Sequence, residues 1–312
     1  MDRIMERLKR YVEWSGRIFT GLLFIWLTYV AFDLSYILEE VEHLFDDIGL
    51  VMMMTCSYFV AFLLRAKAWQ LYIGKQVGYK RFVDGMLYSL FFNHLLPFKA
   101  GDIIRTSYLA QSKLVNWKKA VESVVVMRLL DLIILGSIAV IGVVYIGVSL
   151  SFVFLIALLL GTASIIGVLL LKDTWRQILF YYIRNVFSVI SSTNGLILFI
   201  IVFLSWCLEA VVVLAVSTQF ELSITYLNAL WVNSFTIAGQ VFHFSPGGIG
   251  TYESFMSFAL RAFQVPVKDA YTIAIITHGY KFIFSFIVGI YLIVNVPISW
   301  NTMKDWLRRK ED

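Results

Sequence analysis

Two short stretches place histidine, proline, glycine and an acid at a shared spacing. His94-Leu95-Leu96-Pro97-Phe98-Lys99-Ala100-Gly101 and His243-Phe244-Ser245-Pro246-Gly247-Gly248-Ile249-Gly250 both read His-x-x-Pro-x-x-x-Gly, with Asp102 and Glu253 just beyond. They hold two of the four histidines and two of the four prolines of the chain. Proline lacks an N–H and glycine favours turns, so neither stretch can be the interior of a regular helix. After each glycine a helix can restart, at Asp102 and at Thr251. A helix start offers unpaired N–H groups and a partial positive charge, and a glycine-rich turn before it can cradle an anion. Lys99 and Arg105 flank the first break and would reinforce it for phosphate. The simpler reading is that each break only turns a packed hairpin, with Glu253 as a local cap.

Further ionisable residues lie inside long apolar runs, where each costs roughly 2.5–3.5 kcal/mol on insertion scales unless paired or wet. Arg128 and Asp131 are three apart and share one helix face. They form either a structural pair or part of a polar cavity. Glu209 has no cation within four residues of its own helix. It is protonated, paired to Arg128 or Lys281, or a proton site. His278 and Lys281 are again three apart, forming a polar stripe on the last apolar run.

Other chemistries lack their residues. There is no phosphate-binding P-loop, no HExxH helix, no Cys/His cluster and no GxSxG elbow. No metal or cofactor is expected. His94 and His243 could serve acid–base chemistry, but no nucleophile stands near either. Cys56 and Cys207 both lie in apolar segments and read as packing residues.

The elements that must position these residues are membrane helices. The chain has 312 residues, 60% hydrophobic and 15% charged, against roughly 25% charged in soluble domains. Several apolar runs exceed the roughly 18 residues that mark a spanning helix. The formal charge of +5 therefore reads as the cytoplasmic bias of Lys and Arg, not as a nucleic-acid signal. The basic start and the apolar run from Ile18 to Phe32 read as a retained span.

Charge segregation then sets the path. Spans are expected at about 15–34, 48–64, 120–147, 150–171, 195–217 and 270–296. The acidic loop 39–47 lies outside, and Arg65, Lys67, Lys75, Lys80 and Arg81 bring the chain back inside. Segment 82–112 starts and ends inside; segment 225–263 starts and ends outside. Each reads as a re-entrant hairpin with a break at its tip. Asn116 is placed to cap the helix that follows, and 175–190 reads as an interfacial helix. The expected fold is an all-α polytopic membrane protein of six spans and two re-entrant hairpins. It is a single membrane domain over 1–312, with halves 14–148 and 149–297 forming an inverted repeat, and a cytoplasmic tail over 298–312.

At these residues the sequence resembles a known family. Asn93-His94-Leu95-Leu96-Pro97-Phe98-Lys99-Ala100-Gly101-Asp102-Ile103-Ile104-Arg105 is similar to its Asn-x-x-x-Pro-x-Arg/Lys-x-Gly-Glu/Asp-x-x-Arg element. Pro246-Gly247-Gly248-Ile249-Gly250-Thr251-Tyr252-Glu253 resembles its Pro-Gly-Gly-x-Gly-x-x-Glu element, and Arg128-Leu129-Leu130-Asp131, after Glu122, resembles its Glu/Arg-Leu-x-Asp helix. The family is the lysylphosphatidylglycerol synthase transmembrane (flippase-type) family of bacteria and archaea. Lys281 stands where members often carry Arg. The best-known members add a C-terminal aminoacyl-transferase domain, and with the sequence ending at Asp312 that activity is not carried over.

The resemblance implies lipid movement between leaflets of a cell membrane by a transporter, not an enzyme. The expected cargo is an anionic phospholipid or a polyprenyl-phosphate-linked lipid. Its site is expected to draw on Asn93, His94, Pro97, Lys99, Gly101, Asp102, Arg105, Arg128, Asp131, Glu209, His243, Pro246, Gly247, Gly248, Gly250, Glu253 and Lys281. Arg105 is expected to be exposed and to matter little for stability. The rival readings are a membrane enzyme acting on lipid-linked substrates and a scaffold for envelope synthesis. A homo-oligomer or an envelope-synthesis partner remains open.

The topology is directly testable. Cysteines placed near Glu42 and near Arg308 should label from opposite sides of the membrane, the second from the cytoplasm. Labelling of both from one side sinks the six-span path.

Overall fold

The computed structural model describes residues 34–96, 100–146, 173–190, 193–220, 222–240 and 245–296. The expected spans at 15–34 and 150–171, the tail over 298–312, Pro97 and Lys99 of the first break, and His243 of the second fall outside or almost wholly outside these residues. Every element described is helical. The helices are α1 (Leu34–Asp46), α2 (Ile48–Ile73), α3 (Tyr79–Leu95), α4 (Ala100–Ala110), α5 (Trp117–Ile146), α6 (Asp173–Ile190), α7 (Thr193–Thr218), α8 (Tyr226–Gly239), α9 (Thr251–Arg261) and α10 (Val267–Asn295). A 3₁₀ turn, Pro246–Gly248, lies between α8 and α9.

Four helices are long and apolar enough to cross a membrane: Ile48–Ile73, Trp117–Val143, Asn194–Thr218 and Val267–Asn295. They coincide with four of the six expected spans, but α2 runs nine residues beyond the expected end at 64. The charge of Arg65 was read as a boundary; in the fold it is an interior residue with a partner. The stretch 39–47, expected as a loop, is almost wholly the helix α1, which buries Ile37 and Leu44 and exposes Glu39 and Glu42. Asn116 caps α5 as expected, its side chain accepting from the Lys119 N–H at 2.8 Å.

α2 packs along α7, and α5, α8 and α10 close around them. The ends of the bundle are tied by polar side chains. At one end Glu122 of α5 accepts from Tyr72 of α2, from Lys119 and from Tyr181 of α6, at 2.8, 2.8 and 3.3 Å. At the other, Tyr36 of α1 donates to Asp269 of α10 at 2.9 Å, with Lys268 lying 3.7 Å over its ring.

Helices α3 and α4 form one hairpin; α8 and α9, joined through the 3₁₀ turn, form a second. α10 serves as a ruler for both. Tyr88 of α3 donates to the Leu292 and Val296 carbonyls near the C-terminal end of α10, at 3.1 and 2.6 Å. Six residues further on, the His94 ring lies 4.6 Å from Phe282, near the middle of α10. From the other side, Ser257 of α9 donates to the Ala270 carbonyl at 3.4 Å, near the N-terminal end of α10. Four residues earlier, Glu253 meets His278 at 2.7 Å. The two hairpins thus reach the same turns of α10 from opposite ends.

The first hairpin closes tightly enough to fix one residue type. A Cβ on Gly101 would run into the Ser89 carbonyl oxygen of the opposite arm and lie 2.8 Å from Asn93 Oδ1. Gly101→Ala is therefore expected to lower stability by about 1–3 kcal/mol, the usual cost of overpacking. Thermal unfolding of the purified variant measures it; an unchanged midpoint would show that the arms can part without cost.

Candidate functional site

The hairpin tips, α2, α5, α7 and α10 line a partly open cavity of about 150 Å³. Three groups of charged residues define it. Glu209 of α7 is shared by two cations: Arg65 Nη2 lies 2.6 Å from Oε2 and Lys281 Nζ 2.8 Å from Oε1. The three side chains are only 8, 5 and 3% exposed. Lys281 is fourteen residues from either end of α10, roughly 21 Å along the axis at about 1.5 Å per residue. Its ammonium also donates to Asn233 Oδ1 of α8 at 3.1 Å. Arg65 donates through Nε to Ser205 at 3.1 Å, and its guanidinium lies 3.7 Å over the Trp206 ring. Glu209 is thus paired to Lys281, one of its expected partners, and to Arg65, which sequence reasoning passed over.

The second group surrounds Asp102 in the first turn of α4. Arg128 of α5 donates to both carboxylate oxygens of Asp102, at 2.8 and 2.9 Å. Its contact with Asp131, the partner suggested by helical spacing, is looser at 3.8 Å. Asp131 instead accepts from Trp206 Nε1 at 3.0 Å. Trp206 therefore joins the two groups, its face on Arg65 and its edge on Asp131. Arg105 Nε lies 3.1 Å from Asp102 without hydrogen-bond alignment, and Nη1 reaches the Met86 sulfur at 3.1 Å.

The expectation of an exposed Arg105 is corrected here: it is 2% exposed. α4 folds back against α3, which turns the residue inward beneath Trp69. Its Nε and Nη2 find no hydrogen-bond partner among the described residues.

The third group ties down the second break. His278 Nδ1 lies 2.7 Å from Glu253 Oε1, and its Nε2 lies 3.1 Å from the Gly247 carbonyl oxygen. The Tyr252 ring stacks on the imidazole at 4.1 Å. Glu253 Oε2 accepts the Gly250 N–H at 2.7 Å, closing the start of α9. Gly247, Gly248 and Gly250 hold φ of 63, 80 and 83°, the left-handed region that side chains resist.

The helix starts differ from open anion cradles. The Gly101 N–H is taken by Asn93 Oδ1 at 2.9 Å, and the Gly250 N–H by Glu253. Each restart is completed by the chain's own oxygen atoms. The charges facing the cavity are instead side chains from the spans.

Of the expected site residues, Asn93, His94, Arg128, Asp131, Glu209, Gly247 and Lys281 line the cavity. Asp102, Arg105, Gly101, Gly250 and Glu253 support those that do, through the contacts above; Gly248 belongs to the second turn. Pro246 opens that turn, while Pro97, Lys99 and His243 lie outside the described residues. Reasoning from sequence missed Arg65, Asn233, Tyr252 and Trp206. Only Arg65 left a usable signal: a cation followed by enough apolar and aromatic residues, through Ile73, to extend its helix. Among the described residues no group of three His, Cys, Asp or Glu side chains could hold a metal.

Four helices long and apolar enough to cross a membrane, two broken hairpins meeting between them and a charged cavity at the meeting point describe a membrane protein with an internal polar cavity. The chain belongs to the family described as lysylphosphatidylglycerol synthase TM region, which it matches over residues 14–289. A comparison with curated proteins gave no match. The family is one of membrane lipid metabolism or transport.

The underbonded Arg105 gives a test. With Arg128 it balances the carboxylates of Asp102 and Asp131, and removing one partner of a buried pair typically costs about 3–5 kcal/mol, more than the about 1–3 kcal/mol of its unpartnered donors. Arg105→Met, which fills similar space, is therefore expected to melt several degrees below the parent. A midpoint at or above the parent's would show that the unpartnered donors outweigh the charge.

Proposed function

We propose that this protein moves a lipid with an anionic head group, a phospholipid or a polyprenyl-phosphate-linked lipid, between the leaflets of a cell membrane. One observation carries the reading. Two hairpins reach the middle of α10 from opposite ends and meet at a cavity whose charges belong to the spans. Irregular backbone at membrane depth is tolerated where it is buried in protein or lines a wet cavity, and in transporters such breaks mark the binding site. On this reading the hairpins are re-entrant from opposite faces and form the two halves of an inverted repeat. Both termini are cytoplasmic. The Glu122 cluster then marks the cytoplasmic end and the Tyr36–Asp269 contact the outer end, in keeping with the Lys and Arg distribution.

The head group would enter between the hairpin tips and be held by Arg65 and Lys281, with its acyl or prenyl chains left in lipid. Cations on two different helices let the head group stay paired while the walls on either side of it open in turn. The Glu253–His278–Gly247 contacts hold the second tip against α10 and would have to persist or break as that wall moves. The reading requires no chemical change in the lipid.

Reconstitution of the purified protein into liposomes with fluorescent phosphatidylglycerol tests it, using a membrane-impermeant quencher to read the outer leaflet. Redistribution faster than in protein-free liposomes is expected, and Gly250→Val should abolish it, since a β-branched residue resists the φ of 83° at that turn. Redistribution at the protein-free rate across a panel of anionic lipids would overturn the proposal. A changed lipid mass would make the protein an enzyme.

A further inference from the structure

We propose that the oxyanion of the cargo binds between Arg65 and Lys281, and that this subsite selects a singly charged phosphodiester over a doubly charged phosphomonoester. The inference rests on the lipid-transport reading and deepens it.

The three charged groups around the cavity differ in balance. Around Asp102, two cations, Arg105 and Arg128, face two carboxylates, Asp102 and Asp131. That group is neutral. The third group sets one imidazole, His278, against one carboxylate, Glu253, and both ring nitrogens meet acceptor oxygens, so the pair adds no excess charge. His94 lies with Nδ1 at 2.9 Å from the Leu90 carbonyl, a contact the neutral ring makes as a donor. The group at Glu209 is different: two cations share one carboxylate, and both oxygens of that carboxylate are used. Among the described residues, one positive charge is left over where side chains are at most 8% exposed.

The spare donors are in the same place. Arg65 uses Nε on Ser205 and Nη2 on Glu209, which leaves Nη1 without a hydrogen bond among the described residues. Lys281 uses two of its three N–H groups, on Glu209 and Asn233. The Tyr252 ring also lines the cavity, its centroid 5.3 Å from the Lys281 ammonium. Spare arginine and lysine donors on either side of one carboxylate suit an oxyanion.

An excess of one charge sets the valence of the guest. A monoanion makes the group neutral, whereas a dianion leaves a net negative charge in a site with little water to screen it.

The test is calorimetric binding to the purified protein in zwitterionic nanodiscs. The probes are dihexanoyl phosphatidylglycerol, a monoanionic phosphodiester, and dihexanoyl phosphatidic acid at alkaline pH, where it is a dianion. Phosphatidylglycerol is expected to bind roughly tenfold tighter or more, the scale of one hydrogen bond to a charged group. Glu209→Gln, which adds a second excess charge, should move the preference toward phosphatidic acid. Lys281→Gln should lose phosphatidylglycerol binding by a similar factor. The double variant Glu209→Gln/Lys281→Gln, again with one excess charge, should regain part of it.

Soluble glycerophosphoglycerol should compete with the lipid, assigning the site to the head group rather than the chains. Equal affinity for the two lipids in the parent, a comparison that needs no variant, overturns the proposal. So does parental binding by Lys281→Gln, or failure of the soluble head group to compete. Leaflet redistribution without selective phosphodiester binding would overturn this subsite alone. Selective binding without redistribution would overturn the transport reading and leave the subsite standing.

Discussion

The burial of ionic groups between membrane helices is the constraint on which this structure turns. Glu209 cannot stand ionised in an apolar bundle unless cations reach it, and the two that do come from other spans, Arg65 on α2 and Lys281 on α10. One carboxylate therefore fixes three helices around a point. Removing one partner of a buried pair typically costs about 3–5 kcal/mol, because the charge left behind is uncompensated. The same pairing would be matched or bettered for stability by well-packed apolar side chains. Stability alone gives no reason to keep three charges there, which is why the cluster reads as a site and not as a brace.

The hairpins follow from a second constraint. A chain that stops halfway through apolar surroundings must satisfy its backbone locally. At the first break Asn93 supplies an oxygen to the Gly101 N–H; at the second, Glu253 supplies one to the Gly250 N–H and holds the Gly247 carbonyl through His278. The acid after each glycine thus has a structural duty before any cargo arrives. Asp102, with Asp131, balances Arg128 and Arg105, and Glu253 faces His278.

Much of this was legible in sequence, for reasons that differ between elements. The spans at α5, α7 and α10 announce themselves because lipid demands long apolar runs; the second restart falls at Thr251 as expected, while the first comes at Ala100, two residues before the expected Asp102, with Gly101 inside the helix. The end of α2 was misplaced, since a cation at Arg65 looks the same in one dimension whether it marks a boundary or answers a carboxylate 144 residues away. Arg105 reads as exposed on equally local grounds: helix position says nothing of the arm that folds over it. Spacing offered Asp131 as the partner of Arg128, yet the tighter contact is with Asp102 on another helix. Local pattern reveals which residues are costly to bury; only the fold shows who shares the cost.

Those distant pairings change where chemistry is sought. By sequence the cations nearest the first break draw attention, because they adjoin a turn suited to anions. In the fold, Arg105 and Arg128 answer to carboxylates already present, and the turn donors on Gly101 and Gly250 are occupied. The surplus charge lies instead on α2 and α10, joined to the first group only through Trp206, whose ring carries Arg65 and whose N–H reaches Asp131. Any movement of α7 must carry that indole and Glu209 together, since Trp206 and Glu209 are three residues apart on one face. A shift of one helix would thus disturb both the neutral and the charged group at once.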